Sequence, residues 1–145
     1  MTKITHEMAK QAYIVAPKVH NNEIDMKSGK KIIYDNSGMT EGSAEYYIRN
    51  IRCLMNGQKY VHYMNVDDTE YFLTQILNDH GENSFKKALC AVKQHIEFKK
   101  SRNKSSNVEK LYKELIKKHN IEDATLINVS EEDNIEEPKD SNMEQ

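Results

Sequence analysis

The side chains that most often carry enzyme chemistry are present in this sequence, but not at the spacings that catalysis or metal binding requires. No two of the six His stand four positions apart with a Glu beside the first, which is the zinc-protease arrangement. His95-Ile96-Glu97 matches the first half of a zinc-deaminase signature, but no Pro-Cys-x-x-Cys follows it. The segment 38–43 lacks the glycines and the Lys of a nucleotide-phosphate loop. The sequence therefore predicts no catalytic residue, no metal and no cofactor, and the chain is not expected to be an enzyme.

The cysteine usage and the absence of long apolar runs indicate a cellular compartment. Cys53 and Cys90 form neither a disulfide framework nor a metal motif, so a reducing cytosol is expected. Cys90 adjoins the apolar stripe of a predicted helix, which favours a small core residue over a nucleophile. No apolar run approaches the roughly 18 residues of a membrane span, and the N-terminus lacks a signal-peptide apolar region. We expect a cytoplasmic protein without membrane association.

A different chemistry, the recognition of DNA, is indicated by a segment that is similar to a helix-turn-helix. That motif needs a tight turn, usually at a Gly, followed by an apolar residue and a hydroxyl N-cap. Gly38, Met39 and Thr40 supply these in order. Tyr34 departs from the motif where a small residue normally allows close helix crossing, and Ser37 departs where an apolar residue is usual. A plain helical hairpin within a bundle is the alternative for the same residues.

In a helix-turn-helix, the outer side of the second helix and its entrance face the major groove. Here these residues are Thr40, Glu41, Gly42, Glu45, Tyr46 and Arg49. We expect Arg49 to bind a guanine edge through two hydrogen bonds, worth about 1–3 kcal/mol of base discrimination. The amides of Gly42 and Ser43, at a helix N-terminus, are expected to bind a phosphate. The expected sequence-independent phosphate contacts are Lys30, Lys31, Arg52 and Lys59, for which solvated surface charge is the alternative.

Apolar residues at helical spacing predict a compact all-α bundle of five to six short helices that contains this hairpin. Each helix is delimited by a polar N-cap and by a following turn. Pro17 is expected to kink or shorten the first helix. Residues 59–66 are either extended chain or a loop, and residues 121–129 are either a short strand or a docked coil. The expected helices are named by the residue at which each is capped or begins and by its last residue: Thr5 to 20, Asp25 to 37, Thr40 or Ser43 to 56, Asp67 to 79, Ser84 to 100 and Asn107 to 119.

The net charge of -2 hides an uneven distribution of charge along the 145 residues. Residues 1–120 hold 20 of the 21 Lys+Arg and 14 of the 23 Asp+Glu, so this part is basic. The remaining residues are strongly acidic and have almost nothing to bury, which predicts a disordered tail over 130–145. The predicted organisation is a helical domain over 1–100, a linker over 101–107, a C-terminal helix with a docked segment over 108–129, and the tail.

Four segments of the chain carry a resemblance to a known family. They are Ile4-Thr5-His6-Glu7-Met8-Ala9, Gly38-Met39-Thr40-Glu41-Gly42-Ser43-Ala44, Thr69-Glu70-Tyr71-Phe72-Leu73 and Lys93-Gln94-His95-Ile96-Glu97. Together they resemble the N-terminal helical module found ahead of HNH-type nuclease domains in bacterial restriction-like endonucleases. The resemblance implies DNA targeting in a restriction or mobile-element setting. No HNH-type metal-binding cluster follows residue 100, so cleavage by this chain is not expected.

Two functions follow from these observations. The first is a non-catalytic module that reads duplex DNA through the helix beginning near Ser43. The alternative is an inhibitor from a phage or mobile element, of anti-restriction or anti-CRISPR type, that blocks a host nuclease and whose acidic tail occupies a DNA channel. A homodimer is an open possibility, with Val108, Leu111, Leu115 and Ile116 as its contact, and packing of this helix on its own chain is the alternative.

Overall fold

The computed structural model describes residues 3–126. This part of the chain contains seven helices joined by loops. This confirms the predicted all-α class. The last helix is a single turn over residues 123–126. The predicted tail lies outside the described residues, as do positions 127–129 of the docked segment. The six longer helices are α1 (His6–His20), α2 (Met26–Ser37), α3 (Glu41–Asn56), α4 (Val66–His80), α5 (Glu82–Ser101) and α6 (Val108–Lys118).

Four of the predicted helix starts are confirmed: Asn107 precedes α6 without a side-chain cap bond, and the other three use a side-chain oxygen as the N-cap. Thr5 Oγ1 accepts a hydrogen bond from the Met8 amide at 3.2 Å, and Asp25 Oδ1 accepts one from the Ser28 amide at 2.7 Å. Thr40 caps α3 in the same way. These bonds satisfy amides that have no partner within a helix, so the residue type at the cap determines where the helix begins.

Two predicted helix starts are wrong. Asn65, not Asp67, is the N-cap of α4, because its Oδ1 accepts from the Asp68 amide at 2.7 Å and draws the helix two residues earlier. Ser84 lies inside α5, which begins directly after Gly81 without a side-chain cap. A polar cap residue is therefore a weak signal when a second one stands within two or three positions.

The ambiguous segments adopt loop and helix. Residues 58–65 contain no strand and connect α3 to α4. Residues 123–126 form a helical turn, so neither the expected strand nor the expected coil holds for this part, and Leu126 is fully buried. Pro17 does not shorten α1, which continues to His20. A Pro three residues from the helix end interrupts few hydrogen bonds, and the chain accommodates it.

The helices α1, α2 and α3 pack on one another. Helix α5 packs against α3 and also against α4 and α6. Gly29 lies where α2 crosses α1. A Cβ at this position would stand 2.8 Å from Val19 Cγ2 and 3.1 Å from Val15 Cγ1, so only a glycine fits without movement. The small residue that allows the close crossing is therefore Gly29. Tyr34, at the position where the motif places that residue, is 51% exposed.

The apolar side of α6 packs on its own chain. Val108, Leu111 and Tyr112 are buried, and Leu115 and Ile116 are partly buried against the same core. These side chains therefore follow the alternative of packing within their own chain, and a homodimer stays a prediction. None of the helices within residues 3–126 has the length and apolar content needed to cross a membrane.

Candidate functional site

The turn between α2 and α3 is closed by backbone and side-chain hydrogen bonds. Gly38 adopts a left-handed conformation with φ of 82°, and its amide donates to the Tyr34 carbonyl at 2.9 Å. The Ser37 hydroxyl donates to the Ile33 carbonyl at 2.7 Å and accepts from the Met39 amide at 3.3 Å. Met39 is fully buried. A polar Ser37 therefore replaces the usual apolar contact of a helix-turn-helix with two hydrogen bonds.

One side of α3 is buried in the core, and the other side faces solvent. Ala44 and Tyr47 are buried as predicted, and Ile48 is fully buried beside them. The Tyr47 hydroxyl donates to Asp68 Oδ2 at 2.6 Å and links α3 to α4. Because this side is held at both the core and α4, the rotation of α3 about its axis is determined. The exposed positions on the outer side and entrance are Thr40, Glu41, Gly42, Tyr46 and Arg49.

The entrance of α3 is open to solvent, but one of its amides is already bonded. Thr40 Oγ1 accepts from the Ser43 amide at 3.3 Å, so that amide serves the N-cap and is not available to a phosphate while the cap holds. Gly42 is exposed, and a Cβ placed on it would meet no atom within 4 Å. The fold itself therefore does not require a glycine at position 42.

Glu45 connects two of the predicted cations. Its Oε1 accepts from Lys30 Nζ at 3.1 Å, and its Oε2 accepts from Arg49 Nε at 3.0 Å and from Nη2 at 2.6 Å. The bonds from Arg49, and then those from Lys30, hold the pKa of Glu45 below its ordinary value. The Arg49 side chain is 54% exposed, but the donor edge formed by Nε and Nη2 is occupied by Glu45. The sequence predicted that these residues share one surface, but it did not predict their ion pairs.

The other predicted phosphate contacts do not form a single cluster with Lys30. Lys31 pairs with Asp35 on α2 at 3.2 Å. Lys59 Nζ lies 5.2 Å from the centre of the Phe98 ring, and the Arg102 guanidinium lies 5.5 Å from the same ring. Arg52, half-buried on α3, forms no ion pair with any residue between 3 and 126. The predicted set is thus divided between the α2–α3 hairpin and the end of α5.

The sequence did not predict the exposed residues beside α3 that we call the aromatic surface: Tyr46, His62, whose ring stacks on that of Tyr46, and the loop residues Val61 and Tyr63 on either side of His62 in the chain. The Tyr46 and His62 rings stack with centroids 4.0 Å apart and planes at 25°. Tyr46 is 49% exposed and Tyr63 is 60% exposed, and Val61 is also exposed. The available signal was the segment Tyr60-Val61-His62-Tyr63, which combines aromatic residues with no helical apolar spacing.

The loop that carries this surface is held from the interior of the molecule. Buried Asn50 donates from Nδ2 to the His62 carbonyl at 3.1 Å, and Gln94 Nε2 donates to the Gly57 carbonyl at 2.9 Å. His95 Nδ1 donates to the Tyr60 carbonyl at 2.7 Å, and the Tyr60 and His95 rings stack 4.3 Å apart. Burial lowers the pKa of His95, so its ring is neutral at pH 7 and Nδ1 carries the proton.

Both cysteines lie at least partly inside the fold. Burial raises the pKa of the Cys53 thiol to about 11, and the nearby Arg52 and Arg49 offset this only in part. Buried Cys90 contacts the Leu126 carbonyl through Sγ. No group of three or more His, Cys, Asp or Glu that could hold a metal ion exists among residues 3–126.

Comparisons of the chain with protein-family models, curated proteins and solved structures find no match.

Proposed function

We propose that the protein is a non-catalytic DNA-binding module that inserts the exposed side of α3 into the major groove of duplex DNA. The observation that carries the proposal is the hairpin itself. Its turn is closed at Gly38, α3 is capped by Thr40, and the inner side of α3 is buried while Tyr46 and Arg49 remain exposed. A helix presented in this way matches the diameter of the major groove. The resemblance to nuclease-associated modules supports a restriction or mobile-element setting.

Arg49 is the residue to which we assign base recognition. Its guanidinium is already oriented along the exposed side of α3 by Glu45. On binding, the donors that now contact the carboxylate would exchange it for the O6 and N7 acceptors of a guanine. Thr40, Glu41, Gly42 and Tyr46 would line the same groove. Glu45 and DNA therefore compete for Arg49. Arg49 binds a base only where the two guanine acceptors replace the hydrogen bonds lost from Glu45.

The phosphate contacts are assigned to Lys30, Lys31, Arg52 and Lys59, with the Gly42 amide at the α3 N-terminus, because the Ser43 amide is bonded to Thr40. Exposed ion pairs such as Lys31 with Asp35 are worth less than about 1 kcal/mol, so phosphates can displace the carboxylate at low cost. Each phosphate that is neutralised releases counterions, which makes affinity fall as salt rises.

The proposal is tested by a fluorescence-anisotropy titration of the full chain against a library of fully paired duplexes between 50 and 200 mM salt. We expect a steep loss of affinity with salt, and we expect Arg49→Ala to reduce the difference between preferred and other sequences. Lys30→Ala should lower affinity for all sequences alike. Lys110→Ala on α6 is the charge-matched control and should change neither. Affinity that does not depend on salt would contradict the proposal.

The inhibitor alternative stays a prediction. Its main motivation, the acidic tail, lies outside the described residues. A pull-down of a host nuclease that survives DNase treatment would support it over DNA binding.

A further inference from the structure

We infer that the protein prefers DNA containing an unpaired base, which stacks on the aromatic surface formed by Tyr46, Val61, His62 and Tyr63. The inference rests on the proposed function, because it requires the chain to bind DNA through the α3 side. It adds a substrate class, since a perfectly paired duplex offers no open base face next to α3.

The geometry of the rings is suited to a planar ligand. Tyr46 and His62 are already stacked 4.0 Å apart, and both side chains are exposed. Tyr63, one residue further along the loop, is 60% exposed. Exposed aromatic side chains provide the platforms on which unstacked bases bind. A base within a paired duplex is covered on both faces by its neighbours, so only an unpaired base can occupy such a platform.

The backbone that presents the rings is pre-organised. Hydrogen bonds from Asn50 and His95 hold the carbonyls of His62 and Tyr60, on both sides of Val61. Both donors are buried, so these bonds are shielded from water. The exposed rings therefore lose little backbone freedom when a ligand binds, and more of the stacking energy remains as affinity.

The charges beside the aromatic surface favour a nucleotide over an apolar protein segment. Arg49 follows Tyr46 by three positions, one turn along α3, and Arg52 follows one turn later. Arg52 has no ion pair within the described part of the chain. A nucleotide needs both a surface for its base and a cation for its phosphate, and this part of the molecule supplies them side by side.

The test compares three DNAs of one sequence: a fully paired duplex, the same duplex with a single extra 2-aminopurine as a bulge, and the single strand that contains it. We expect the bulged duplex to bind about tenfold more tightly than the paired one, the worth of one base–aromatic stack. We also expect the 2-aminopurine fluorescence to be quenched on binding, which reports stacking directly.

The variants separate stacking from general affinity. Tyr63→Ala and His62→Ala should remove the preference for the bulge and leave affinity for paired DNA within about twofold, whereas Tyr63→Phe should keep it. Tyr34→Ala removes an equally exposed Tyr on α2 and should change nothing. Circular dichroism verifies that each variant is folded.

The outcomes distinguish this inference from the proposed function. Equal affinity for bulged and paired DNA, or a preference that survives Tyr63→Ala together with His62→Ala, overturns the inference and leaves major-groove binding standing. Salt-dependent binding of bulged DNA with no binding of paired DNA rejects the major-groove proposal and keeps the stacking site. If the chain binds neither DNA and captures a nuclease through Tyr63, the surface is a protein-docking site and both proposals fail.

Discussion

In the proposed DNA complex, Glu45 is the residue whose charge most directly opposes binding, because it pairs with two of the cations assigned to the interface. Replacing it by Gln releases Lys30 and Arg49 from the carboxylate. We expect Glu45→Gln to bind all duplexes more tightly, with a log–log salt slope that is steeper by about one. Loss of the two partly exposed ion pairs should lower the free energy of unfolding by less than about 1 kcal/mol. Glu114→Gln on α6 is the control, and unchanged affinity in Glu45→Gln would remove Lys30 and Arg49 from the interface.

The Tyr60 hydroxyl is buried, and it has no hydrogen-bond partner among residues 3–126. In the unfolded chain this group bonds to water, so its burial costs stability. We expect Tyr60→Phe to raise the free energy of unfolding by about 1 kcal/mol in urea denaturation. The matched variant Tyr47→Phe removes the bond to Asp68 and should lower it by about 1–3 kcal/mol. A destabilised Tyr60→Phe would show that the hydroxyl has a partner in solution.

At the entrance of α3, the packing of the fold does not explain why position 42 is a glycine. Ala is the better helix former, by up to about 1 kcal/mol, and a Cβ at Gly42 meets nothing. We expect Gly42→Ala to keep or raise thermal stability. It should weaken duplex binding several-fold, because the proposed complex brings the DNA backbone close to Gly42. Gly29→Ala, which must displace Val19, should instead destabilise the fold by about 1–3 kcal/mol. Unchanged DNA affinity in Gly42→Ala would place the DNA elsewhere.

The α3–α4 loop is tied to α5 through neutral His95, which makes the fold sensitive to acid. Burial is the main cause that lowers the pKa of His95; Lys99 lowers it further, and the bond to Tyr60 opposes them. Below the unfolded-state pKa of about 6.5, the unfolded chain binds a proton that the folded chain refuses, so stability falls as pH falls.

We therefore expect the free energy of unfolding to drop between pH 7 and pH 5, and to drop less in His95→Gln. The pKa of Asp68 is raised by burial, so this group acts in the opposite direction at lower pH. It is present in both proteins, so their difference isolates His95. An identical pH dependence in the two proteins would contradict the assignment.

At the scale of the whole molecule, the distribution of charge predicts how the acidic residues change the affinity of the basic part for DNA. Residues 130–145 hold seven Asp+Glu and one Lys. We expect a chain ending at residue 129 to bind duplex DNA more tightly at 50 mM salt, with the advantage shrinking at 200 mM as charges are screened. A ratio of affinities that does not change with salt would show that the acidic residues act by another route.

Much of the fold was predictable because helix signals act over a few residues. Thr5, Asp25 and Thr40 each accept a hydrogen bond from the backbone amide three residues further along the chain, and Gly38 ends α2. The inward orientation of Ala44 follows from spacing alone. The same local rules gave the wrong residue before α4, where two candidate caps competed, and before α5, which begins without a side-chain cap. The exposed side of α3 was predictable on the same basis, whereas the partners of its side chains were not.

The sequence by itself determined the helices, their order and the outer side of α3, because backbone hydrogen bonds and apolar periodicity are encoded within about four residues. Only the tertiary structure decided that Glu45 joins Lys30 to Arg49, that Gly29 forms the helix crossing, and that His95 holds the loop. Apart from the bond between Glu45 and Arg49 within α3, those contacts join residues from different elements of the fold. Their existence depends on where packed cores place the helices, and that placement depends on all the buried side chains together.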